Sequence, residues 1–308
     1  MKVMKTVSIF LGVLLLSVAL GGFALGESAV TVTDMAGREV RLDAPATRIV
    51  ALTASDCEIL FALGAGDALV GRGTYCDYPA EALTIPVVES GMNTNIEQIV
   101  ALKPQLVLMN TMAQSKEQLA VLEAAGIQIL VSNATDIAGI YDSIEIIGTV
   151  TGNEAEARVL VENMQASFVE IAQNSEKNGA QTVYFEVSPL QYGLWTAGSG
   201  TFMDELATLL GLENAFSDVT GWGEISQEQV LERNPDYIVT IAMYLGEGVL
   251  PDAEIAGREG WQGLKAVQNG NILNADSDAI SRPGPRLVEA ARELYEFVFG
   301  EQALKPAV

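Results

Sequence analysis

The chain of 308 residues contains no histidine. That removes the Ser-His-Asp triad, most zinc hydrolase sites and the commonest general base. It also argues against a bare zinc or manganese ion, for which imidazole is a common ligand. Cysteine is nearly absent, Cys57 and Cys76 being the only two. That count fits either a disulfide, which export would permit, or buried free thiols. Basic residues are scarce: 17 Lys and Arg against 40 Asp and Glu, for a net charge of −23. With no basic stripe to neutralise phosphates, nucleic acid is not an expected partner. An acidic surface suits solubility alone or attraction to a positively charged protein. No Gly-rich phosphate cradle stands out, since Gly64-Ala65-Gly66 follows a helical pattern and Gly198-Ser199-Gly200 is short. The carboxylates form no recognisable acid/base pair.

The one long apolar run is N-terminal. Lys2 and Lys5 precede Val7 to Leu20, interrupted only by Ser8, Gly12 and Ser17, and Ala24-Leu25-Gly26 supplies small residues for cleavage. This is the pattern of a secretory signal peptide over 1–26; an uncleaved anchor is the alternative, and the run is barely long enough to span. The first cysteine is Cys57, so a lipid anchor is not expected, and the protein should be periplasmic or extracellular.

Two segments repeat. Glu97-Gln98-Ile99-Val100-Ala101-Leu102-Lys103-Pro104 aligns with Glu228-Gln229-Val230-Leu231-Glu232-Arg233-Asn234-Pro235. Each reads as a capped short helix, opened by Asn95 or Ser226, a proline stop and a buried β-rich run. Glu58 to Gly64 likewise resembles Glu205 to Gly211. Two blocks in the same order imply two similarly built lobes with a cleft between them. Strand and helix alternate, so the expected class is α/β: two Rossmann-like lobes with largely parallel sheets joined by one long helix. Ser55 to Glu58 reads as a capping box. From Thr135 to Asn178 apolar residues keep helical spacing with no strand signal, which gives a stiff connection. The boundaries expected are 27–152 for the first lobe, 153–178 for the connecting helix and 179–308 for the second lobe.

Ligands of parallel α/β sheets lie beyond the carboxyl ends of strands. The segments expected there carry Tyr75, Met92, Asn110, Trp195, Trp222, Tyr244 and Arg282. Aromatic and Met side chains suit a large, partly apolar ligand; the alternative for each is a cap on its own lobe's core. Arg282 offers a charge for a carboxylate or anionic chelate, or is a surface arginine beside a proline turn.

The runs Tyr75-Cys76-Asp77-Tyr78-Pro79 and Asn95 to Pro104, Trp222 with Ser226 to Leu231, and Ser281-Arg282-Pro283-Gly284-Pro285-Arg286 together resemble one family. It is the substrate-binding proteins of ABC importers that carry vitamin B12, ferric siderophores or heme. The resemblance spans Val30 to Phe299. It implies two lobes on a rigid helix, no enzymatic activity, no resident cofactor or metal, and a monomer that delivers a metal chelate to a permease dimer. It makes Glu97 and Glu228 the pair that docks on permease arginines, and Tyr75 and Trp222 pocket aromatics. Tyr75 and Met92 are the available axial donors for a heme. Asn110 and the Gly91-Met92 region stand where corrinoid carriers have tryptophans, which leaves a large chelate, not one particular chelate, as the expectation. An exported enzyme or an adhesive surface protein on the same scaffold is the alternative.

Overall fold

The computed structural model describes residues 29–91, 94–110, 116–175, 181–242 and 248–300, the side chains of 116–118 aside. A hairpin of β1 (Val30–Thr33) and β2 (Glu39–Leu42) leads into the first lobe. There β3 (Ile49–Ala51), α1 (Ala54–Ala62), β4 (Leu69–Gly73), β5 (Val87–Val88), α2 (Ile96–Leu102), β6 (Leu106–Met109), α3 (Lys116–Ala124) and β7 (Gln128–Val131) alternate. The sheet order is β5-β4-β3-β6-β7 and every pairing is parallel. Its strand order reverses beside β3, the place where open α/β sheets leave a crevice.

Two helices follow, α4 (Ile137–Thr151) and α5 (Glu154–Asn174). Gly152, in the left-handed region at φ 73°, ends the first of them. Along α5 the buried positions Ala157, Val161, Met164, Phe168 and Ile171 form one stripe at helical spacing. This helix of 21 residues is about 32 Å long.

The second lobe comprises β8 (Thr182–Ser188), β9 (Leu194–Ala197), α6 (Phe202–Leu209), β10 (Glu213–Asn214), β11 (Trp222–Ile225), α7 (Gln227–Arg233), β12 (Tyr237–Thr240), α8 (Pro251–Gly257), α9 (Lys265–Asn269), β13 (Ile272–Asn274), α10 (Ser277–Ser281) and α11 (Leu287–Phe299). Its sheet runs β11-β9-β8-β12-β13, with β10 also on β8. The expectation of largely parallel sheets holds, with β8, β10, β12 and β13 parallel here as well, but one edge differs. β9 pairs antiparallel with both β8 and β11, so this sheet is mixed. The segments around Trp195 and Trp222 are therefore strands, not loops. Gly198 permits the turn between β9 and α6, because a Cβ there would collide with the Val219 carbonyl. That accounts structurally for the Gly198-Ser199-Gly200 motif.

Period-two alternation sorts the strand residues between two layers. Ile49, Ala51, Leu106, Leu108 and Leu130 face a central core that also receives Val183, Phe185 and Val239 from the other sheet. Helices α4, α5 and α11 fill this shared core with Ile144, Phe168, Leu294 and their neighbours. The opposite faces bury Val50, Val107 and Ile129 in the first lobe, and Tyr184, Ile238 and Trp261 in the second. One continuous core thus ties both sheets to the same helices.

The capping box at Ser55–Glu58 is not formed. The N-cap is Thr53, whose hydroxyl donates to Asp56, while Glu58 pairs with arginines far along the chain. The cysteines are free buried thiols. The Cys57 thiol and burial push the Cys76 thiol up from its ordinary range.

Candidate ligand cleft and docking surface

A cavity of about 700 Å³ opens between the lobes. Its wall is built mainly at the carboxyl ends of second-lobe strands. Glu186 and Val187 come from β8, Ile241 and Ala242 follow β12, and Ser277, Asp278, Ser281 and Arg282 follow β13. Pro189 to Tyr192 and Val249 to Glu254 complete that side, and Tyr75 faces them from the first lobe. Gly73 ends the strand before Tyr75; a Cβ there would press on the Leu52 carbonyl, so the chain passes close to β3 before Tyr75 emerges. The Tyr75 and Tyr192 rings are 71% and 76% exposed, so neither is consumed by the core.

Charge at this wall is arranged in pairs. Arg258, at the end of α8, donates to both oxygens of buried Glu186 at 2.6 and 2.9 Å and to Glu254 at 2.6 Å. Its guanidinium lies 4.5 Å from the Trp261 ring centroid. Arg282 donates to Glu58 at 2.8 Å and Asp77 at 2.9 Å, both from the first lobe, and pairs with Asp278 at 2.8 Å. Arg286 approaches Glu58 at 3.7 Å, pairs with Asp276 and stacks on Tyr78 at 4.3 Å. Burial pushes the Glu58 carboxyl up, against the pull of these arginines. Asp56, deeper in α1, is raised to about 6 by burial, which the Ser132 and Thr53 hydroxyls only partly offset.

Of the residues singled out in the sequence, Tyr75 and Arg282 line the cavity. Asn110 is half-buried at the end of β6. Trp195 and Trp222 stand on the antiparallel β9 and β11, 39% and 42% exposed, and are not among the cavity-lining residues. Trp222 packs edge-on against Phe202 at 5.6 Å. Met92 and Tyr244 lie outside the described residues. Glu186 and Glu254 were missed by sequence reasoning, and Tyr192, in the run Tyr192 to Trp195 expected after a strand, was passed over in favour of Trp195. Tyr192 had a usable signal in its place just after a strand; Glu254 lies within a helix and carries none.

The repeated units share their local features. Asn95 and Ser226 each accept a hydrogen bond from the amide three positions on, Gln98 or Gln229. Each helix has seven residues and ends in a left-handed residue, Lys103 at φ 50° and Asn234 at φ 46°, followed by proline. Beyond the proline, Gln105 accepts from the amides of Thr47 and Arg48, and Asp236 from that of Thr182. Glu97 and Glu228 occupy the second position of their helices and are exposed. The Glu228 carboxyl is held below its usual range by its own amide and the Ser226 hydroxyl.

Residues 49–279 match the family described as periplasmic binding protein. The chain belongs to that family. It is 36% identical over 276 residues to a Bacillus subtilis (strain 168) ABC transporter substrate-binding lipoprotein, YvrC, itself uncharacterised, covering 88% of this chain and 85% of the relative. The periplasmic vitamin B12-binding protein BtuF of Vibrio cholerae superposes with a TM-score of 0.70 at 28% identity, covering 82% of this chain and 97% of that one. The periplasmic heme-binding protein HutB of the same species superposes with a TM-score of 0.75 at 25% identity, covering 82% and 99%. The family places the protein in the periplasm or outside the cell. The lipoprotein name of the Bacillus relative runs against the expectation of no lipid anchor; residues 1–28 lie outside the described ones.

Proposed function

We propose that the protein captures a metal chelate of the corrinoid, heme or ferric-siderophore type in the interlobe cavity and hands it to the permease of an ABC importer. The observation that carries this reading is the cavity itself. Its volume suits a large small-molecule ligand, it sits at the carboxyl ends of the second lobe's parallel strands, and it presents unsatisfied tyrosine faces. The named relatives bind vitamin B12 and heme. In this reading Tyr75 and Tyr192 stack on the ligand, with Trp195, Trp222, Asn110, Met92 and Tyr244 as further candidate contacts. The protein acts as a monomer by binding and release, without turnover, and residues 1–26 direct its export.

Glu97 and Glu228 are the docking pair in the same reading. Two equivalent exposed carboxylates on two equivalent lobes suit a partner with two-fold symmetry and matching arginines. Exposed charges of this kind govern encounter rate and salt sensitivity.

Titration of the purified protein with cyanocobalamin, hemin and a ferric trihydroxamate, followed by tryptophan quenching, tests the ligand reading. Saturable one-to-one binding of at least one is expected. Failure of all to bind, or their chemical conversion, would defeat it. The Glu97→Ala, Glu228→Ala double variant should keep chelate affinity and lose transport; normal transport would remove the pair from docking.

A further inference from the structure

Arg282 is the only cationic side chain among the described residues that line the cavity, and it shares that wall with Glu186, Glu254 and Asp278. Its guanidinium is already surrounded by three carboxylates at 2.8 to 2.9 Å, those of Glu58, Asp77 and Asp278. An incoming anion would have to displace at least one of them. Arg258 does not line the cavity and is shared between buried Glu186 and half-exposed Glu254, so one guanidinium serves two carboxylates at this wall. The faces of Tyr75 and Tyr192 carry the negative side of the ring quadrupole, which attracts positive charge.

We infer that this cleft selects by ligand charge: it admits neutral or cationic metal chelates and rejects polyanionic ones. The mechanism is desolvation against fixed like charge. A chelate entering the cavity loses water, so a carboxylate or catecholate on its periphery faces half-exposed Glu254 and Asp278, whose arginines are each shared with further carboxylates, and finds no free counter-ion. A chelate with a neutral amide, hydroxyl or ammonium periphery meets the same carboxylates as hydrogen-bond acceptors. The inference rests on the reading of the cavity as a chelate site.

The test is a charge series on the full chain: cyanocobalamin and a neutral ferric trihydroxamate, the cationic ferric complex of desferrioxamine B, hemin with its two carboxylates, and a ferric tris-catecholate. Neutral and cationic probes should bind at least tenfold more tightly than hemin and the tris-catecholate at low salt. High salt should narrow the gap. Tighter binding of hemin or the tris-catecholate overturns charge selection and leaves the chelate reading intact; binding of none overturns both. The Asp77→Asn, Asp278→Asn variant releases Arg282 from two partners that are 47% and 41% exposed, so the fold should survive. It should gain about tenfold for hemin relative to cyanocobalamin; an unchanged ratio in a protein of unaltered melting temperature also overturns the proposal.

Discussion

Glu186 in the second lobe is neutralised by Arg258 of its own lobe, through two hydrogen bonds of 2.6 and 2.9 Å. Glu58, its buried counterpart in the first lobe, draws its cations from the other side, Arg282 and Arg286 of the segment joining α10 and α11. One Glu58 oxygen, Oε2, has no hydrogen-bond partner among the described residues. Asp56, two positions earlier on the same helix, is met by hydroxyls and retains its proton up to about pH 6. Glu186 is thus served within its own lobe, whereas Glu58 is completed by the neighbouring one. The shared apolar core already couples the lobes, and the Glu58–Arg282 pair adds a polar tie at the cleft. Both features resist wide opening, in keeping with the stiff α5.

The contrast can be broken most severely at Arg258. Arg258→Ala leaves Glu186 buried without a cation, and should destabilise the fold by about 3–5 kcal/mol in urea denaturation. Arg282→Ala should cost less, about 1–2 kcal/mol, because Arg286 stays near Glu58 and Asp77 and Asp278 are half-exposed. Equal costs would show that the two carboxylates are not differently served.

Asp56 sharpens the first-lobe side. Its folded-state pKa of about 6 lies above the ordinary 3.8, so the native state holds the proton that the unfolded chain releases. The stability so conferred is fully present below pH 3.8 and is lost as pH rises through about 6. Asp56→Asn cannot ionise. It should therefore exceed the parent in stability by up to about 3 kcal/mol at pH 7.5, with the difference vanishing below pH 4. Thermal melts at the two pH values check it.

The repeated helix–proline–strand units give smaller effects. Lys103 and Asn234 both hold left-handed backbone. Lys103→Gly should stabilise by about 1 kcal/mol, and Asn234→Gly by less, because asparagine tolerates this region better than lysine. Smallest of all, the Glu97→Ala, Glu228→Ala variant should move the melting temperature by only about 1–2 °C, since both side chains are exposed and what is lost is helix-dipole interaction and the local contacts of Glu228 with its own amide and Ser226. A drop of many degrees would make the glutamates structural and weaken the docking reading.

The repeat was legible because its signals are local. Asn95 and Ser226 cap, the prolines stop, and the β-rich runs continue, all within about a dozen residues. The long helices declared themselves by one apolar stripe. The antiparallel β9 and β11 were not legible: each has four residues, Gly193 and Gly221 precede them, and exposed tryptophans resemble loop aromatics. Their strand character comes from pairing with each other and with β8, which no short window contains. Ser55–Glu58 misled for the same reason, since Glu58 answers to Arg282, 224 positions away.

The sequence alone determined the α/β class, the two lobes, the connecting helices and the equivalent placement of Glu97 and Glu228. Caps, prolines and hydrophobic period act over a few residues, so order along the chain suffices for them. Only the tertiary structure decided the state of the cleft's charges. Arg282 reads in sequence as a free cation, yet carboxylates from positions 58, 77 and 278 converge on it. Coulomb energy depends on separation in space and on access to water, and neither is written in the order of residues.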